Sequence, residues 1–123
     1  DIMSQNQLLE TLNRINAIIT DSHIVYTSGQ HGSVYINKDA IYPHTEITSA
    51  LCLDIAKHFQ HSAIEVVLAP ALGGIILSQW IAFHLTQLTG KEVMGVYAEK
   101  IDAPEYFIIK RGYDKLCENK RIL

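Results

Sequence analysis

The sequence is sparing with cysteine, proline and basic charge. Only two cysteines, Cys52 and Cys117, occur in 123 residues, and they stand far apart. They are too few for the disulfide framework of a small secreted scaffold and lack zinc-site spacing, so a reducing, cytoplasmic setting is expected. Lys and Arg number 10 against 13 Asp and Glu, a net charge of −3. With no basic excess, neither non-specific nucleic-acid binding nor attachment to an anionic membrane is expected. The polar N-terminal stretch has no basic segment leading into an apolar run, as a secretory signal would. Six histidines are present but no His-Glu-x-x-His, and no phosphate-binding Gly-Lys-Ser/Thr loop, Gly-x-Gly-x-x-Gly or Gly-x-Ser-x-Gly motif occurs. Residues 66–90 carry no Asp, Glu, Lys or Arg, yet Pro70 and the Gly73-Gly74 pair interrupt them. The helical part that remains, about residues 75–88, falls short of the ~20 residues that cross a bilayer. No internal repeat or low-complexity stretch is present.

What is there reads as a single globular domain: 48% of residues are hydrophobic and 19% charged. Leu8, Leu12, Ile15 and Ile19 recur at helical spacing, widened by Leu9 and Ile18, with Ser4 and Gln7 placed for a capping box. Two β-rich runs, 23–28 and 33–38, flank Gly29-Gln30-His31-Gly32 and suggest a hairpin or irregular β-loop. Pro43 closes an extended piece, after which Thr45 or Thr48 can cap a second helix. Its apolar face is Ile47, Leu51, Cys52, Ile55, Ala56 and Phe59, with Asp54, Lys57 and His58 turned outward. Residues 64–69 are almost continuously apolar, as for a strand covered on both faces. A helix apolar nearly all round follows Gly74 and stops at Gly90, and 93–98 form the next strand. Strand, helix and strand in this space make a βαβ unit with a parallel pair. Residues 106–110 read as a further strand and Gly112-Tyr113-Asp114 as a turn. The expected architecture is α/β: an open, mostly parallel sheet with flanking helices over residues 45–123, preceded by a hood of helix and β-hairpin over 1–44.

Three segments can carry chemistry. The first is Ala71-Leu72-Gly73-Gly74, between a buried strand and a buried helix. Glycines there admit close approach of a ligand, and the helix N-terminus behind them suits a phosphate or pyrophosphate. A tight strand-to-helix turn explains the same residues without a ligand. The second runs from Thr27 to Asp39, where hydroxyls, two glycines, Tyr35 and the Lys38-Asp39 pair crowd together. It can hydrogen-bond and stack on a polar ring, or be a solvated hairpin. The third is Glu99-Lys100, directly after a strand, where the lysine can meet an anion or remain an exposed charge. Lys110-Arg111 poses the same choice and leans towards a solvated strand end.

In order, the N-terminal helix, the Ser28-Gly29-Gln30-His31 loop running to Tyr35-Ile36-Asn37-Lys38-Asp39, the strand followed by Pro70-Ala71-Leu72-Gly73-Gly74, and the strand ending Tyr97-Ala98-Glu99-Lys100 resemble the type I phosphoribosyltransferases. Orotate-type members are most similar, from about residue 5 onward. The resemblance implies a reaction in which a nitrogenous base, orotate first, displaces pyrophosphate from 5-phosphoribosyl 1-diphosphate with the help of Mg²⁺. It implies that Ala71, Leu72, Gly73 and Gly74 contact pyrophosphate, and that Tyr35 and Ile36 lie beside the base. Ser28 and Gly29 match the loop facing the base and phosphoribosyl groups, and His31, Asn37 and Lys38 complete the substrate-binding set. Glu99 and Lys100 match the start of a mobile loop, with Lys100 as the catalytic cation. A homodimer with small-molecule substrates, and no nucleic-acid or membrane partner, is implied as well.

The chain also departs from that pattern. Thr27 and Gly73 stand where some orotate-type members carry lysine, and residues 101–106 are short and poor in basic side chains. The family's strand ending in two acidic residues, followed by a Thr/Gly-rich 5-phosphate loop, has no match here. It would come directly after Arg121-Ile122-Leu123. The domain is therefore expected to be incomplete at its C-terminus and inactive on its own. Alternatives are a purine-type enzyme, a regulatory domain that binds the phosphorylated sugar without turnover, or an interaction domain dimerising through its hydrophobic helices.

Overall fold

The computed structural model describes residues 2–102 and 105–123. The chain divides into a smaller unit, Met3–Ile47, and a larger one made chiefly of Thr48–Leu123.

The smaller unit begins with α1 (Gln5–Arg14), and its capping box forms as the sequence suggests. Ser4 Oγ accepts from the Gln7 N–H at 3.2 Å, while Gln7 Oε1 accepts from the Ser4 N–H at 2.9 Å. The helix stops earlier than the apolar spacing implies. Asn16 takes a left-handed conformation (φ 57°), and the Ala17 N–H turns back to the Leu12 carbonyl at 2.8 Å. Asparagine tolerates this conformation well, which makes it a natural helix terminator. Ile18 and Ile19, read above as part of the helical stripe, instead form β1 (Ile18–Ile19), antiparallel to β4 (Tyr35–Ile36). Between them lie β2 (Ile24–Val25) and β3 (His31–Gly32), paired antiparallel. The β-rich runs thus yield pairs of two residues each, and their pairing is nested rather than a single hairpin. Residues 37 onward leave the strand altogether: Asn37 caps α2 (Lys38–Ile41), its side-chain oxygen accepting from the Asp39 N–H at 3.1 Å.

In the larger unit the βαβ reading holds. Helix α3 (Thr45–Phe59) is followed by β5 (Val66–Pro70), α4 (Ile75–Thr89) and β6 (Met94–Asp102). Gly90 ends α4 with φ 73°, a conformation that suits glycine. β5 and β6 run parallel, Val67 opposite Gly95 and Pro70 opposite Ala98. On the other side of β5, residues 121–123 lie parallel to it: the Leu123 N–H donates to Val66 and the Leu68 N–H to Leu123.

Alternation along the strands sorts the core. Val67 packs with Cys52 and Ala56 of α3 and with Ile81, Ala82 and Leu85 of α4. Val66 and Val96, on the opposite face, pack with Cys117 of α5 (Tyr113–Cys117). A turn was expected at Gly112-Tyr113-Asp114; instead Gly112, at φ 77°, opens this short helix. Gly95 lets α4 approach β6 closely, since a Cβ there would sit 3.0 Å from the Ser78 carbonyl oxygen and 3.2 Å from Ala82 Cβ.

β6 is longer than the expected 93–98. It continues through Glu99, Lys100 and Ile101 because β7 (Glu105–Ile108) folds back antiparallel and extends its ladder, Glu99 opposite Ile108 and Lys100 opposite Phe107. The segment expected as a mobile loop, 101–106, is therefore strand at 101–102 and 105–106, and residues 103–104 lie outside the described residues.

Two consequences can be measured. A methyl group at Gly74 would meet the Pro70 carbonyl oxygen at 2.7 Å and Ala69 Cβ at 2.8 Å, neither free to move far. Gly74→Ala is expected to lower stability by about 1–3 kcal/mol in urea denaturation; unchanged stability would show that the turn relaxes around it. Burial also raises the Cys52 thiol to about 11, so it stays protonated and unreactive at pH 8. Iodoacetamide should label Cys52 readily only after denaturation, and rapid labelling of the native chain would contradict its enclosure.

Candidate functional site

The sequence-predicted residues fall into two groups, one in each unit. In the larger unit, Ala71, Leu72, Gly73 and Gly74 follow β5, and Glu99 and Lys100 follow Ala98 along β6. Because Pro70 pairs with Ala98, both sets emerge at the carboxyl end of one parallel pair, where open α/β sheets bind ligands. The Ala71 N–H donates to the Ala98 carbonyl at 2.7 Å and pins the start of the loop to β6. The Ala71–Leu72 peptide is cis, and the Gly74 N–H closes the turn on the Pro70 carbonyl at 2.9 Å. The Leu72 side chain is 85% exposed at the tip.

Gly74 is the N-cap residue of α4, and no side chain caps this end. A helix of this length presents a positive dipole end and first-turn N–H groups to an anion. Gly74 is also required by packing, since a Cβ there would meet the Pro70 carbonyl oxygen and Ala69 Cβ.

One cation at this end is Lys100, whose Nζ lies 2.8 Å from Glu105 Oε1. Hydrogen bonding and attraction to Glu105 hold the Lys100 ammonium above the usual lysine range, and Glu105 below the usual carboxylate range. Lys100 therefore offers fixed positive charge, not a proton to exchange. Glu99 is engaged elsewhere. It accepts from Arg111 Nε and Nη2, both at 3.3 Å, and the Arg111 guanidinium lies 6.0 Å from the Tyr97 ring centre. Tyr97 meets Tyr113 edge-on at 5.4 Å. Arg111, read above as a solvated strand end, is thus the partner of Glu99. Sequence spacing could not show this, because the β6–β7 hairpin creates the contact across twelve residues.

In the smaller unit the loop between β2 and β3 is tightly ordered. The Tyr26 N–H donates to Gln30 at 2.9 Å and the Gly29 N–H to Tyr26 at 2.8 Å, with Gly29 at φ 83°. Ser28 Oγ accepts from the Gln30 N–H at 3.3 Å. Tyr26 crosses the hairpin and donates its hydroxyl to the Val34 carbonyl at 2.6 Å, a path open only because Gly32 has no side chain. A cavity of about 540 Å³ is lined by Ile24, Val25, Tyr26, Thr27, Ser28 and Tyr35. Ser28 and Tyr35 are thereby brought to one cavity, while Ile36 sits beside Tyr35 on β4, 54% exposed. Asn37 is committed to capping α2, its N–H bound to the Ala17 carbonyl at 2.7 Å, and Lys38 lies 3.9 Å from Asp39. His31 faces His23 rather than the cavity's lining residues. Tyr26 and His23 are the residues that sequence reasoning missed.

No group of three or more His, Cys, Asp or Glu side chains gathers to hold a metal among the described residues. Among the same residues no helix is long and apolar enough to cross a membrane.

No protein-family model matches the chain. It is 26% identical to orotate phosphoribosyltransferase of Caldicellulosiruptor bescii over 121 residues, covering 98% of this chain and 58% of that protein. It is 30% identical to orotate phosphoribosyltransferase of Chlorobaculum parvum over 111 residues, covering 90% of this chain and 53% of the relative. The chain spans little more than half the length of these curated relatives. Among solved structures, orotate phosphoribosyltransferase of Francisella tularensis superposes with a TM-score of 0.60 at 16% identity, over 100% of this chain and 55% of that one. The Aeropyrum pernix enzyme gives 0.53 at 24% identity, over 76% and 50% of the two chains. Over most of its length the chain is thus related in sequence to orotate phosphoribosyltransferases, and it carries the phosphoribosyltransferase-like α/β fold of their structures.

Proposed function

We propose that this chain forms part of an enzyme that transfers the 5-phosphoribosyl group of 5-phosphoribosyl 1-diphosphate to orotate, releasing pyrophosphate, in pyrimidine nucleotide synthesis. The observation that carries the reading is that residues 71–74, leading into the N-terminus of α4, and the Glu99-Lys100 segment both follow the carboxyl end of one parallel pair. In the reaction the bond from the anomeric carbon to pyrophosphate oxygen breaks, the electron pair leaving with pyrophosphate. A bond from the base nitrogen to that carbon forms, and the proton that nitrogen carried passes to solvent. Charge builds on the departing pyrophosphate, so donors and cations already in position lower the barrier.

Residues Ala71, Leu72, Gly73 and Gly74 with the α4 N-terminus would receive the pyrophosphate. Lys100, held as a cation, would neutralise it after parting from Glu105. Ser28, Gly29 and His31 would face the base and sugar, Tyr35 and Ile36 would flank the ring, and Asn37 and Lys38 would support that edge. Glu99 would act through Arg111 to fix the hairpin bearing Lys100. Mg²⁺, which the reading also includes, would enter with the diphosphate, held by its oxygens and water as is usual for this ion. A homodimer in the cytoplasm completes the reading.

The test is orotate-dependent release of pyrophosphate by the full-length gene product carrying this sequence. Lys100→Ala is expected to lower kcat by about 10²–10³-fold, and Lys100→Arg to restore part of it. If pyrophosphate appears with neither orotate nor a purine base, the transferase reading fails. Calorimetric binding of the diphosphate with Mg²⁺ but without turnover would then leave a sensor domain.

A further inference from the structure

In the smaller unit two imidazoles meet across a hairpin, and the transferase reading gives a role to His31 but none to the contact between them. His23 directly precedes β2, and His31 opens β3, whose register places Val25 opposite His31. Their rings lean together with centroids 4.7 Å apart and planes at 40°, and His23 Nε2 stands 2.6 Å from His31 Nδ1. That is short for a nitrogen–nitrogen hydrogen bond, and it brings one ring nitrogen of each histidine to the same place on the hairpin. Both side chains are exposed, so this place is open to solvent.

From this geometry we infer that His23 and His31 form a two-imidazole site for a borderline transition dication such as Cu²⁺, Ni²⁺ or Zn²⁺. Metal–imidazole bonds of ~2.0–2.1 Å at a tetrahedral angle set the two nitrogens ~3.3 Å apart. The rings therefore need to part by only a fraction of an ångström, which exposed side chains achieve by small torsions. The hairpin beneath them is held by the Tyr26–Gln30 and Tyr26–Gly29 backbone bonds and by the Tyr26 hydroxyl on Val34. Ordering the ligands on binding thus costs little. No third protein ligand joins them among the described residues, so water fills the remaining positions. Cu²⁺ binds most tightly by the usual order of first-row dications, and Mg²⁺, which prefers oxygen, does not compete. The site differs in ligand chemistry from the Mg²⁺–diphosphate of the proposed reaction, and it shares only His31 with that reading.

The experiment is calorimetric titration of the tag-free chain with Cu²⁺ and Zn²⁺ in the presence of millimolar Mg²⁺. Histidine ring resonances are followed by NMR in the Zn²⁺ arm. One ion per chain is expected at this site, with the His23 and His31 resonances shifting together. His23→Ala should weaken binding at least tenfold, while a His58→Ala/His61→Ala variant binds as the parent does. Thermal melts establish that each variant is folded. Undiminished binding by folded His23→Ala, ring shifts confined to His58 and His61, or no binding at millimolar metal would each overturn the site. The last outcome would leave a plain histidine–histidine hydrogen bond.

Discussion

The register of β5 against β6 is the constraint on which the larger unit depends. With Pro70 opposite Ala98, the loop after one strand and the charged residues after the other leave the sheet side by side. The Ala71–Ala98 hydrogen bond locks that relation at the point where the chain turns. Helix α4 can return along the sheet only because its approach to β6 is through Gly95, where any side chain would press on Ser78 and Ala82. Slip the register by one residue and each side chain changes face. Val67 would leave the cluster around Cys52 and Leu85, and the loop would lose its anchor.

The electrostatics of this edge follow from the hairpin that β6 makes with β7. It places Glu105 beside Lys100 and Arg111 beside Glu99, two ion pairs of different character. The first is a single exposed contact, which adds little to stability and gives the lysine a carboxylate partner. The second engages two guanidinium nitrogens, with Tyr97 and Tyr113 adjoining, and ties the end of β6 to the start of α5. One carboxylate thus restrains a cation and the other braces the strand that carries it.

Much of this was legible in the residues. Continuous apolar runs announce β5 and α4, Gly90 announces the end of α4, and Ser4 with Gln7 announces α1. Misreadings arise where a local pattern continues past the point at which the backbone turns. Ile18 and Ile19 keep helical spacing with Leu12 and Ile15, but left-handed Asn16 has already redirected the chain into a strand. Glu99 and Lys100 look like loop because they are charged; a partner strand makes them ladder residues. Among the candidate site residues, the order of the 71–74 loop and Lys100 was readable. The roles of Arg111, Tyr26 and His23 were not, since each acts on a residue distant in sequence or across a hairpin.

The amino-acid order alone determined the alternation of strand, helix and strand, which residues are apolar enough to be enclosed, and where the glycine-containing turn between β5 and α4 stands. These are properties of neighbours a few residues apart, and hydrophobic periodicity with glycine and proline suffices to read them. Tertiary structure decided the purpose of each glycine and the partner of each charge. Gly74 and Gly95 answer to the atoms packed against them, Gly32 to a tyrosine ring crossing overhead, and Lys100 to a carboxylate on the next strand. Such contacts depend on register and on close approach between elements, and no pattern within one segment encodes them.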